Sequence, residues 1–159
     1  MRPGAAGFMT VELLLVIAFF ALMAGVVSLP LSNLQTDAAG KDAAIIVTDE
    51  LRRAVAQAMS GHDGDQWGIH FSDADGCALP ATKIHVFRGA AFTSATDTID
   101  TIDLPAGAAV TGLAIGGGCD ARFSRFHGAT ASAGTVTLTD ARGQVLTVTI
   151  NAYGRISSP

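Results

Sequence analysis

Gly7-Phe8-Met9-Thr10-Val11-Glu12-Leu13-Leu14-Leu15-Val16-Ile17-Ala18 is the stretch on which the reading of this chain turns. Between Arg2 and Asp37 the sole charged residue is Glu12, and Leu13 to Val27 is an unbroken apolar run. Phe8 to Leu29 would form about 33 Å of helix, enough for a hydrocarbon core of about 30 Å. A secretory signal peptide needs a positive start, a short apolar core and a small-residue cut site. Here Arg2 is the only early cation, and Asp37-Ala38-Ala39 is a poor cut site. A lipoprotein anchor fails because the first cysteine is Cys77. A plain transmembrane anchor has no use for Glu12, since an ionisable group in hydrocarbon costs a few kcal/mol and marks a partner or a function. A third reading has to make use of that carboxylate.

The same residues closely resemble the N-terminus of type IV pilins and pseudopilins. In that family a prepilin peptidase cuts after a glycine, and the new N-terminal residue, usually Phe, is methylated. The resemblance places the cut after Gly7 and the methyl group on Phe8. The family's glutamate stands fifth from the cut, and the fifth residue from Phe8 is Glu12. Pro30 falls where many pilins carry a helix-breaking proline. The chemistry agrees: glycine leaves an unencumbered backbone for the protease, and cleavage creates an ammonium beside the apolar helix. In a water-free filament core an unpaired carboxylate is costly, whereas one facing a neighbour's ammonium is compensated. Glu12 then acts as a register pin for assembly, and the alternative is a side chain snorkelling to the interface.

The remainder is an ordinary water-soluble sequence. The chain has 159 residues, 49% of them apolar and 15% charged, with a net charge of −4. Its pI near 5.4 argues against general nucleic-acid binding. From Asp42 to Met59, Ala44, Val47, Leu51, Ala54, Val55 and Ala58 recur at helical spacing, with Asp49, Glu50, Arg52 and Arg53 mostly off that stripe. Gly61 is a stop signal. Pro30 and Gly40 predict a kink or a melted stretch between this helix and the apolar one. Seven short β-like runs follow: 67–71, 83–87, 98–104, 109–115, 122–126, 135–139 and 145–150. They predict an antiparallel β domain, with Asp140-Ala141-Arg142-Gly143 as a hairpin turn. The expected class is α+β, a long N-terminal helix packed on an antiparallel β-sheet domain. Its parts are a leader at 1–7, a transmembrane or filament-core helix at 8–30, an amphipathic helix at 31–61 and the β domain at 62–159. The order, ending in Gly154-Arg155-Ile156, resembles minor pilins and pseudopilins of the GspH/FimT type. Many pilins carry a C-terminal cysteine-bounded loop, from which this chain departs: Cys119 lies 40 residues from the end.

Other candidates carry less. Cys77 and Cys119 either bridge or stay free; a bridge would close a loop worth roughly 4 kcal/mol. Asp63, Asp65, Asp73 and Asp75 invite a calcium reading, but Phe71 and Thr82 occupy the positions where an EF-hand loop needs its first and last ligands. Backbone-capping turns explain these acids better. His62, His70, His85 and His127 show no metal-ligand spacing, and His70 and His85 are expected on solvent-facing strand positions. Lys83, Arg88, Arg122, Arg125 and His127 would form a basic face only if their strands align, the one route to a DNA-uptake role; scattered surface charge is the simpler reading. Gly116-Gly117-Gly118 lacks a P-loop's Lys-Ser/Thr and reads as a turn. No catalytic residue, metal site or cofactor is expected. What the resemblance implies is a minor pilin or pseudopilin with three partners: prepilin peptidase, other subunits and an inner-membrane assembly platform. Its place would be the bacterial inner membrane, with the C-terminal domain outside the cytoplasm, and then the filament. The competing reading is a cell-surface binding module on a simple anchor.

Overall fold

The computed structural model describes residues 10–61, 65–94, 98–116 and 118–158, with the side chains of 25–37 excepted. The expected leader, the Gly7–Phe8 cut site, His62, Asp63 and Gly117 therefore lie outside the described residues. One helix, α1, spans Thr10–Ser60. The expected melted stretch is absent: no non-helical residue interrupts α1 at Pro30 or at Gly40. The chain divides into two compact units between Gln35 and Thr36.

In the first unit every described side chain of α1, from Thr10 to Ala24, is exposed. In the second the apolar stripe does what its 3.6-residue period dictates. Ala44, Val47, Leu51, Ala54 and Ala58 are buried, Val55 is half-buried, and Arg52 and Arg53 face solvent. Ala43 and Thr48 widen the buried face. α1 stops at Gly61, whose φ of 64° suits a glycine just past a helix end. A Cβ there would collide with the Phe126 ring.

Among the described residues eight strands follow: β1 (Trp67–His70), β2 (Lys83–Arg88), β3 (Thr98–Asp103), β4 (Ala108–Ile115), β5 (Asp120–Phe123), β6 (Gly134–Asp140), β7 (Val145–Ile150) and β8 (Ile156–Ser157). They form two antiparallel four-stranded sheets, ordered β3-β2-β1-β5 and β4-β6-β7-β8. Seven strands were expected; the eighth is a two-residue return after the Gly154 turn, too short to show a period. The expected 122–126 strand moves to Asp120–Phe123, because the chain turns at Ser124–Gly128 with Phe126 at φ 66°. A lone bridge ties the sheets together, Ala81 N–H donating to Val110 O at 2.9 Å and Val110 N–H donating back at 2.8 Å. Ile69, Ile84 and Phe123 from the first sheet, with Phe71 just past β1, meet Val136, Leu138, Val148 and Ile150 from the second and the α1 stripe in one core. The hairpin turn at 140–143 forms as expected: Asp140 Oδ1 accepts from the amides of Arg142 and Gln144.

Candidate functional site

The first unit presents one chemical feature. Leu13, Leu14, Leu15, Ile17, Phe19, Phe20 and Leu22 are each more than half exposed. Exposed apolar surface of this extent marks a contact with a partner or a membrane. Among the described residues no helix is long and apolar enough to cross a membrane. The described side chains of this run stop at Ala24, so the expected 8–30 span lies partly outside them. Glu12 is exposed and shares a helix face with Leu15, Val16, Phe19 and Met23, at the three- and four-residue spacing of one stripe.

The second unit holds a polar cluster on the sheet face that points away from α1. In β1, Trp67 and Ile69 face the core while Gly68 and His70 face the other way. His70 and His85 were expected in solvent, and this is corrected: they are 4% and 9% exposed. Strand alternation was read rightly, but Phe92 from the 89–94 loop covers the second face. Its ring stacks on His70 at 4.0 Å and lies 5.8 Å from His85. Gly68 makes room for this layer, since a Cβ there would sit 2.6 Å from the Phe87 ring. His70 Nδ1 lies 2.6 Å from Asp120 Oδ1, and its Nε2 lies 3.1 Å from Ala74 O. Both partners are acceptors, and the tautomer of the ring decides which of them receives its proton. Asp120 Oδ2 also accepts the Phe92 amide at 3.4 Å. His85 Nδ1 lies 3.0 Å from Thr101 Oγ1. Burial, and then the neighbouring His70, push the His85 pKa below its ordinary value.

The structure joins Cys77 and Cys119 in a disulfide, Cα to Cα 5.4 Å. The bridge fastens the loop after β1 to the residue preceding Asp120, while Cys119 O accepts the Phe71 amide at 2.9 Å. Among the acids, Asp73 caps: it accepts from the amides of Thr82 and Lys83, both at 2.7 Å, and from Thr82 Oγ1. Among the described residues no group of three or more His, Cys, Asp or Glu could hold a metal. The basic residues do not gather. Arg88 pairs across from Trp67 whereas Arg122 pairs across from Gly68, so they lie on opposite faces of the sheet. Lys83 meets Asp103 at 3.4 Å, Arg88 meets Asp65 at 3.7 Å, and Arg122 donates to Ala90 O at 2.6 Å. Arg125 stands over the Phe126 ring, and His127 turns back to the Arg125 carbonyl.

No family model matches the chain, and no curated protein matches it in sequence. Among solved structures it is similar to the type IV minor pilin FimU of Pseudomonas aeruginosa, with a TM-score of 0.57 at 13% identity, covering 76% of this chain and 87% of that one. The fold is type IV pilin-like. The α1 stripe is where the second half of the helix meets its own domain. Within the second unit the histidine cluster is a small second core under Phe92, beside the Cys77–Cys119 bridge. Sequence reasoning missed Phe92. The signal was a lone large aromatic in Gly89-Ala90-Ala91-Phe92, a loop otherwise made of small residues.

Proposed function

We propose that the chain is a structural subunit of a pilin-like filament, a minor pilin or pseudopilin of a type IV pilus or a type II secretion pseudopilus. The observation that carries this reading is the exposed apolar stretch of α1 with Glu12 as its only charge, on a chain with a type IV pilin-like fold. Prepilin peptidase removes Met1–Gly7, Phe8 becomes the methylated N-terminus, and the inner-membrane platform assembles the subunit from the bilayer. Burial of the apolar helix among neighbouring subunits drives assembly through packing. Glu12, facing a neighbour's new amino group, fixes the register because a carboxylate left alone there is costly.

Intact-mass and N-terminal analysis after co-expression with a prepilin peptidase tests the processing. The expected product begins at Phe8 with one added methyl group. An uncut chain that stays in the membrane on shearing would instead identify an anchored surface module. Glu12→Ala is expected to be cut and inserted normally, yet to fall about tenfold or more in the sheared filament fraction. Undiminished incorporation of that variant would refute the pinning role.

A further inference from the structure

On the sheet face turned away from α1, the 89–94 loop covers β1 and β2 with a single anchor. Ala90, Ala91 and Thr93 are exposed, Gly89 and Ser94 are half-buried, and within this loop only Phe92 is buried. Its ring stacks on His70 at 4.0 Å, lies 5.8 Å from His85, and meets the Phe87 ring edge to face at 5.7 Å. The two imidazoles stand 6.3 Å apart beneath it. Phe87 and Phe92 are buried, yet neither belongs to the core that joins both sheets to α1. The face can therefore open without the core. We propose that the 89–94 loop is an acid-released strap: a proton taken up by His85 lifts Phe92 from its seat and bares the second face of the first sheet while the core stays folded.

The charges around the two rings set the direction. Among the described residues Asp120 is the carboxylate in contact with them, and it is already engaged, by His70 at 2.6 Å and by the Phe92 amide at 3.4 Å. His85 itself touches neutral groups, the Thr101 hydroxyl at 3.0 Å and the Ser72 backbone. Asp73 favours its charged form and Lys83 opposes it, with Lys83 also meeting Asp103 at 3.4 Å. A proton on His85 thus places a charge under an apolar ring with no carboxylate against it, which is costly. Lifting Phe92 lets water reach the imidazole and removes that cost. Burial first, and then His70, hold the His85 pKa below its ordinary value. The closed strap therefore binds the proton less readily than the open one. Opening grows as pH falls below the ordinary imidazole value near 6.5, by up to about tenfold per pH unit. Gly89, at φ 126° and bonded through its amide to Gln66 O at 2.9 Å, is the pivot at the β2 end. Arg122, donating to Ala90 O at 2.6 Å near the surface, is a tie that the proton does not touch.

The inference is independent of the filament reading. Amide exchange is followed residue by residue on the full-length chain in detergent micelles from pH 7.5 to pH 5, each rate divided by the intrinsic rate at that pH. Protection of the Phe92 amide is expected to fall about tenfold or more across that range. It is also expected to stay well below that of Leu51 in α1 at every pH, because the strap opens without the core. His85→Gln, which cannot take up the proton, is expected to level the Phe92 profile. In the wild type the His85 ring signal is expected to titrate over the interval in which Phe92 loses protection, a readout that needs no variant. Phe92 protection that is flat, or that rises toward acid, overturns the strap. Protection equal to that of Leu51 overturns it as well, since Phe92 would then be released only when the whole domain unfolds. A wild-type slope retained in His85→Gln, or a His85 titration outside the opening interval, would remove His85 as the trigger and the proposal with it.

Discussion

At His85 a single ring reports how the second face of the first sheet was closed. It is buried beside His70, under Phe92, and its proton affinity is lowered by that burial and by its neighbour. Asp73 acts the other way, and Lys83 adds to the lowering. A group whose folded pKa lies below its unfolded value binds fewer protons folded than unfolded. Its stabilising share is then present above the ordinary imidazole pKa near 6.5 and lost as pH falls through the folded value. Thermal melts between pH 7.5 and pH 5 should therefore show a falling Tm, and His85→Gln should flatten that slope. A variant slope equal to that of wild type would place the acid sensitivity elsewhere.

Among the elements, the second half of α1 was the most legible in the sequence. Its five buried stripe residues are those that the three- and four-residue spacing selected, because one core-facing helix has only one face to bury. Leu51 is fully buried near the middle of that stripe. Leu51→Ala should cost about 2–5 kcal/mol, measured by chemical denaturation, whereas Arg52→Ala, exposed on the same turn, should change stability by less than about 0.5 kcal/mol. Most strands were legible from period-2 runs and turn residues. Their assembly into two sheets was not. β5 joins β1 across some fifty residues, and nothing local in Asp120-Ala121-Arg122-Phe123 names its partner. The histidine positions failed for a related reason, since alternation tells which side chains share a face and not whether a loop will return to cover it. Glu12 stands out in the sequence by its isolation, a charge with no other for more than twenty residues on its C-terminal side.

Across the whole molecule, stability and the proposed assembly draw on different residues and should separate by mutation. The core joins both sheets and the stripe of α1, and the Cys77–Cys119 bridge closes a long loop within that same unit. Removing the bridge restores chain freedom to the unfolded state, which for a loop of this length costs roughly 4 kcal/mol. For a domain of this size that corresponds to a Tm loss on the order of 10 °C. Cys77→Ser with Cys119→Ser should therefore melt well below wild type, while the proposed cleavage after Gly7 should proceed unchanged because both cysteines lie far from it in the sequence. Glu12→Ala should do the reverse: its side chain is exposed, so Tm should hold while entry into filaments falls. Both variants, measured for melting and for the sheared fraction, form a two-by-two comparison. Equal loss of both properties in each variant would mean that the domain's stability governs assembly directly, and that Glu12 has no role of its own.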